Sequence, residues 1–258
     1  MMIDIHSHIL PGVDDGAASL EESLMMAEMA VKSGVKVLVA TPHSNQPGAF
    51  RNYDSREMRE RYRQLKEAVK VEGIPLQLIR GMEIFATSEL AEKVEKKQVI
   101  PLNRSRYYLI EFAFNASPHY IEDRITEMLE IGQIPVIAHP ERYYCVQDDP
   151  NQLYHWRMLG ALAQMNKGSV FGRFGARTEQ AAEIILKHCL VNCIASDAHG
   201  VDFRTTDMRE IRHFLDQHFP EEVCRLLLHV NPGCILKNKP LPRQAMPIPI
   251  EQKKHWFW

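Results

Sequence analysis

The chain has 258 residues, 45% of them hydrophobic and 25% charged, with a formal net charge of -2 at pH 7. That size suits one large α/β domain with a sizeable core, and the near balance of charge argues against a nucleic-acid-binding surface. Five cysteines, widely spread, with no secretory leader and no apolar run long enough for a transmembrane segment, point to free thiols in a reducing cytoplasm.

The first expected strand runs from Met2 to His8. His6 and His8 occupy alternate positions, hence one face, where two imidazoles can reach one metal ion. Asp14-Asp15-Gly16 follows and can set a carboxylate on a sharp turn beside them. Two half-exposed histidines on an edge strand would also explain the pair, and the segment alone does not favour a metal. Ser19 to Lys32 reads as an amphipathic helix with the stripe Leu20, Leu24, Ala27 and Val31. Ser19 and Glu22 fit a capping box at its start, and Gly34 a stop at its end.

Further strands are expected at Val35 to Thr41, Leu76 to Ile84, Tyr107 to Phe112, Pro135 to His139, Ala161 to Asn166 and Val191 to Ser196. Helices fit Asp54 to Val71, Ser88 to Lys97, Pro118 to Ile131, Thr178 to His188, Asp207 to His218 and Glu221 to His229. Strand followed by helix, many times over, argues for parallel strands joined by right-handed crossovers. Residues 1–239 form one domain. Residues 240–258, punctuated by Pro240, Pro242, Pro247 and Pro249, read as a Pro-rich tail. It is either loosely ordered or docks its terminal Trp256-Phe257-Trp258 on a neighbouring surface.

A cysteine-based phosphatase loop is excluded on spacing. A cysteine phosphatase loop places arginine six residues after the thiolate, whereas Cys145, Cys189, Cys193, Cys224 and Cys234 are followed there by Asn151, Ala195, His199, Val230 and Pro240. Cys189 and Cys193 flank Leu190-Val191, which suits packing.

The ends of the strands carry the chemistry. His6 and His8 lie on the first strand, His43 after the second, Glu83 on the third, Glu111 on the fourth, His139 at the fifth, and Asp197 and His199 after the seventh. In a barrel of parallel strands these ends converge on one rim. Each residue alone has an ordinary explanation: a loop histidine, a helix-start carboxylate, a buried acid with a hidden partner. Yet a carboxylate such as Glu111, set in Leu109-Ile110-Glu111-Phe112, costs several kcal/mol unless it is paired or bound to a cation. Five histidines and four carboxylates, counting Asp15, exceed what one site can use. Two or three divalent ions are the natural number, and imidazole with carboxylate and no thiolate suits manganese, iron or zinc rather than calcium.

Taken together, Asp4-Ile5-His6-Ser7-His8, Val13-Asp14-Asp15-Gly16, Thr41-Pro42-His43, Gly81-Met82-Glu83-Ile84, Leu109-Ile110-Glu111-Phe112, Ile137-Ala138-His139-Pro140-Glu141-Arg142-Tyr143 and Ile194-Ala195-Ser196-Asp197-Ala198-His199 resemble the polymerase and histidinol phosphatase superfamily. Within it the chain is similar to the bacterial tyrosine-protein phosphatases of the CpsB/CapC type. The resemblance implies a distorted (β/α)7 TIM-like barrel with a trinuclear centre. His6, His8, Glu83 and Asp197 would hold one ion. Glu83, Glu111 and His139 would hold the second, and Asp15, His43 and His199 the third. Asp15, which directly precedes Gly16, is preferred to Asp14 as a ligand, and Asp14 is expected to support the ligands instead.

The implied activity is hydrolysis of phosphotyrosine by a metal-bridging hydroxide. Arg142, just past His139, and Arg204, in the loop after His199, are the candidates to bind the phosphate dianion, although each also reads as an ordinary surface arginine. The implied substrate is the phosphotyrosine tail of a bacterial tyrosine kinase linked to exopolysaccharide synthesis. Histidinol phosphate, or another small phosphomonoester, is the alternative substrate on the same fold.

Overall fold

The structure, a computed structural model, describes residues 1–242 and 249–250. The strands are β1 (Met2–Ser7), β2 (Val35–Ala40), β3 (His43–Ser44), β4 (Gln77–Arg80), β5 (Glu83–Phe85), β6 (Tyr107–Glu111), β7 (Ile134–Ala138), β8 (Leu162–Asn166) and β9 (Cys193–Ala195). They pair as β1-β2-β4 and as β3-β5-β6-β7-β8-β9, in parallel throughout.

The two sheets are pieces of one ring. β2 and β3 are a single path broken at Thr41-Pro42, where proline has no N–H to give the ladder; β4 and β5 are broken alongside, at Gly81-Met82. Gly81 N donates to Ala40 O at 2.9 Å and Glu83 N to Pro42 O at 3.2 Å, so pairing is carried across the break. A Cβ on Gly81 would come within 2.9 Å of Leu102 Cδ2 and 3.0 Å of Val39 Cγ1, so glycine lets the paths pass. At the other edge Asp197 N donates to His6 O at 2.9 Å and His8 N to Ala198 O at 2.8 Å, which ties the end of β9 back to β1. Counted by path, the described residues place seven parallel strands around one axis, as the distorted (β/α)7 reading expected.

The helices are α1 (Leu20–Lys32), α2 (Arg56–Val71), α3 (Leu90–Glu95), α4 (Pro118–Glu130), α5 (Tyr144–Asp148), α6 (Asn151–Leu159), α7 (Ala176–Lys187), α8 (Arg209–His218), α9 (Glu221–Arg225) and α10 (Asn231–Leu236). Ser19, Ser55 and Ser117 cap α1, α2 and α4, each hydroxyl accepting a backbone N–H of the first turn. The sequence pattern did not announce α5, α6 or α10. Asp149-Pro150 separates the first two into short pieces, and Pro232-Gly233 lies inside the third. The helix expected over Glu221 to His229 is α only to Arg225 and continues as a π-helical segment, Leu226–Val230.

Strand alternation divides the apolar residues into two layers. Val37, Val39, Tyr107, Leu109, Val136, Ala138, Cys193 and Ala195 pack with Ile235 and Leu236 of α10 inside the ring. Leu38, Ile110, Ile137 and Ile194 point outward, against Met26, Ile121, Ile125 and Ile185 of the helices. Beyond Pro242 only Pro249 and Ile250 are described. Ile250 exchanges two hydrogen bonds with the side chain of Asn151, at 2.8 and 2.9 Å. Pro247 and the terminal aromatics of the expected tail lie outside the described residues. Leu38 is fully buried between sheet and helices, so Leu38→Ala is expected to cost about 2–5 kcal/mol in urea unfolding.

Candidate metal centre

All nine residues singled out as ligands stand on one rim. β1 delivers His6 and the turn after it His8; His43 opens β3, Glu83 opens β5 and Glu111 closes β6. His139, Asp197 and His199 follow directly on β7 and β9. His139 and Asp197 leave their strands in the left-handed region, with φ of 33° and 49°. Such backbone costs about 1–3 kcal/mol per residue and persists where packing fixes it, as at a functional site.

Glu83 is the hub. Only 1% exposed, its Oε2 lies 3.2 Å from His6 Nε2, 3.2 Å from His8 Nε2 and 3.0 Å from His43 Nδ1. Its Oε1 accepts from His139 Nε2 at 3.0 Å, and that nitrogen is 3.5 Å from Glu111 Oε1. Asp197 Oδ1 stands 3.3 Å from His6 Nε2 and 3.4 Å from His8 Nε2. Glu83 Oε2, Glu111 Oε2, Asp197 Oδ1 and His199 Nε2 are buried with no aligned hydrogen bond. Carboxylate oxygens packed this closely against imidazole nitrogens, with no aligned hydrogen bond, are an arrangement that a cation relieves.

The residues behind the histidines fix which ring nitrogen faces the cluster. The Asp197 carboxylate can only accept, so Asn166 presents its amide nitrogen to Oδ2. Asn166 Oδ1 then accepts from Gln164 Nε2 at 3.0 Å, and Gln164 Oε1 accepts from His6 Nδ1 at 2.7 Å. In the neutral imidazole that leaves Nε2, with its lone pair, aimed at Glu83. Asp14 does the same for His8. Its Oδ2 accepts from His8 Nδ1 at 2.8 Å and from His43 N at 2.9 Å, while Oδ1 accepts from Gly16 N at 3.0 Å.

With those bonds Asp14 is spent. Asp15, 55% exposed in its side chain, instead puts Oδ1 3.5 Å from His43 Nε2 and 3.6 Å from His199 Nε2. A Cβ on Gly16 would lie 2.1 Å from His8 O, so only glycine lets this turn close over His8. Gln164 and Asn166 were missed from the sequence. Two amides at alternate positions of a strand that also carries Ala163 and Met165 were the available signal.

Ligand atoms lie within 4.8 Å of one another in three groups: His6, His8, Glu83 and Asp197; His43, Glu83 and Glu111; and His8, Asp15, His43 and His199. The groups overlap more than the sequence reading supposed. His8 adjoins the third group as well as the first, and His43 faces Glu83 through Nδ1 and Asp15 through Nε2. His139 sits at the second group through its contacts with Glu83 and Glu111.

Without a cation, the cluster retains protons in its place. Burial pulls His6 down, but the charges of Glu83 and Asp197 outweigh it and hold it up at about 9. Burial, and then the charge of Glu83, lift Glu111 to about 8. Burial alone would raise Glu83, yet His6 and His43 hold it well below the usual carboxylate range. His139 is depressed to about 4, chiefly by burial, and is already neutral. Neutral imidazoles and ionised carboxylates are what divalent ions require, so the donor set fits such a group.

Both sequence-predicted arginines border the cluster. Arg204 donates from Nη2 to Asp197 Oδ2 and from Nε to Asp197 O at 3.2 Å, and Nη1 takes part in neither bond. Arg142 Nη1 is 3.9 Å from Asp197 Oδ2. The cysteines contribute no ligand to these groups.

The capsular polysaccharide synthesis family CpsB/CapC matches residues 2–237. The chain is 37% identical to the tyrosine-protein phosphatase YwqE of Bacillus subtilis, covering 98% of both chains. It is 32% identical to the tyrosine-protein phosphatase CpsB of Streptococcus pneumoniae, over 92% of this chain and 99% of that one. A crystal structure from work on YwqE and CpsB as metal-dependent tyrosine phosphatases superposes with a TM-score of 0.89 at 36% identity, over 97% of this chain and 100% of the other. A phosphotriesterase homology protein of Escherichia coli shares the fold alone, with a TM-score of 0.61 at 10% identity, over 91% and 97% of the two chains. The named relatives favour the phosphotyrosine reading over histidinol phosphate.

Because His6 must lose its proton to bind a cation, adding manganese to chelator-treated protein at pH 8 is expected to release protons. Apparent affinity should then rise with pH towards about 9. Calorimetry in buffers of different ionisation enthalpy checks both, and proton uptake would contradict them. Gln164→Leu removes the acceptor that orients His6 and is expected to weaken cation binding about 10–100-fold in the same titration.

Proposed function

The chain belongs to the CpsB/CapC capsular polysaccharide synthesis family, and we propose on that footing that it is a metal-dependent phosphomonoesterase that hydrolyses phosphotyrosine in proteins. The observation that carries the reading is the convergence of orphaned carboxylate and imidazole atoms around Glu83, with two arginines at its border.

Residues 1–239 form the catalytic unit. His6, His8, Glu83 and Asp197 would hold one cation; Glu83, Glu111 and His139 would hold a second, with His43 beside them; Asp15, His43 and His199 would hold a third, next to His8. Two or three divalent ions, manganese foremost with iron or zinc as alternatives, suit donors of this kind. When bound, such ions supply a water of lowered pKa as nucleophile and Lewis acidity towards phosphate oxygens.

The chain's own side chains do the rest. Arg204, fixed by Asp197, and Arg142 bind the phosphate oxygens and oppose the charge that grows on them. Gln164 and Asp14 keep His6 and His8 in the tautomers that ligation needs. The leaving phenolate has a pKa near ~10, far below that of an alkoxide, so phosphotyrosine can be cleaved without a dedicated general acid.

The substrate in the cell is the phosphotyrosine tail of a bacterial tyrosine kinase in exopolysaccharide synthesis, met in the cytoplasm. Among the described residues no helix is long and apolar enough to cross a membrane.

Parallel assays of a phosphotyrosine peptide and histidinol phosphate test the reading, and hydrolysis of histidinol phosphate alone would overturn it. Arg142→Ala and Arg204→Ala are each expected to lower kcat/KM for the peptide by about 10²–10³. His139→Ala, folded by circular dichroism, should lose at least as much. Full activity in that variant, or in chelated enzyme, would remove the metal mechanism.

A further inference from the structure

Beside the metal centre, in front of the N-terminal end of α7, lies a cleft of about 500 Å³ walled by Phe114, Arg142, Tyr144, Gln147, Phe174 and Arg177. Its aromatic walls begin where the phosphate-binding arginines end. The Arg142 guanidinium carbon stands 4.4 Å from the centre of the Phe114 ring and 4.7 Å from that of Phe174, and Arg204 lies 5.7 Å from the Phe174 ring. Tyr144 is 53% exposed, and Phe114 and Phe174 are half-buried.

Phe174 stands at the crest of Gly172-Arg173-Phe174-Gly175, whose two glycines have φ of 68° and 94°. These left-handed turns, open to glycine, set its ring against the arginines instead of into the core. Three aromatic side chains held open beside a highly charged cluster form a mixed pocket, apolar on its walls and anion-binding at one end.

We propose that this cleft is the subsite for the aryl group of the substrate, with Phe114, Tyr144 and Phe174 in contact with the ring while Arg142 and Arg204 hold its phosphate. The inference rests on the phosphotyrosine reading and deepens it. A phosphoseryl group leaves the three rings uncovered, so the preference for tyrosine comes from this wall as well as from the better leaving group.

Calorimetry of the metal-loaded full chain with phenylphosphonate and methylphosphonate tests the proposal, since neither is hydrolysed and only one carries a ring. Wild type is expected to bind phenylphosphonate about tenfold more tightly. Tyr144→Ala, at an exposed position, and Phe174→Ala should bring the ratio of the two affinities towards one, and Phe174→Leu should retain part of it.

Equal affinities in wild type would overturn the proposal. So would variants that weaken both ligands in proportion, because Phe174 would then only brace the arginines. A preserved ring preference in wild type without hydrolysis of a phosphotyrosine peptide would instead sink the functional reading and leave the subsite standing.

Discussion

The carboxylate of Glu83 is surrounded by nitrogen atoms of His6, His8, His43 and His139 at 3.0 to 3.2 Å. Its Oε2 nevertheless has no aligned hydrogen bond. A buried charge so placed costs several kcal/mol unless opposite charge meets it. In the bare protein part of that charge comes from protons, notably the one that Glu83 and Asp197 hold on His6. Divalent cations meet the same need without occupying a ligand lone pair with a proton, and they bring the chemistry of phosphate hydrolysis with them.

The ring exists in its interrupted form to bring that carboxylate to the rim. Had β4 continued unbroken through Gly81-Met82, Glu83 would follow the pleat of a long strand. The break, matched by the one at Thr41-Pro42, starts β3 and β5 afresh and pairs His43 with Glu83 across the new ladder. The closing bonds between β9 and β1 do likewise for Asp197 and His6. The gathering of these side chains and sheet closure therefore depend on the same few residues.

Much of this was legible because strand ends in a parallel barrel share a rim, so residues far apart in sequence could be grouped without knowing any distance. His6, Glu83, His139 and Asp197 were expected together in this way, and they do lie side by side. What was not legible lay in residues whose role is relational. Gln164 and Asn166 are ordinary amides until Asp197 fixes one end of their chain and His6 the other. The break after β4 was also hidden, since Leu76 to Ile84 reads as one strand. The helices α5 and α6 escaped because Asp149-Pro150 cuts a short crossover into pieces too brief to show a period. Nothing in the sequence singled out Phe114 and Phe174, and their stacking on Arg142 is what sets them beside the site.

The central claim is that the atoms left unsatisfied around Glu83 are cation ligands. Anomalous diffraction from crystals soaked in manganese tests it most directly. The account predicts peaks within ligand distance of Glu83, with others bordered by Glu111 and His139 and by Asp15, His43 and His199. A cluster that stays empty at saturating manganese, or peaks only elsewhere on the molecule, would contradict it.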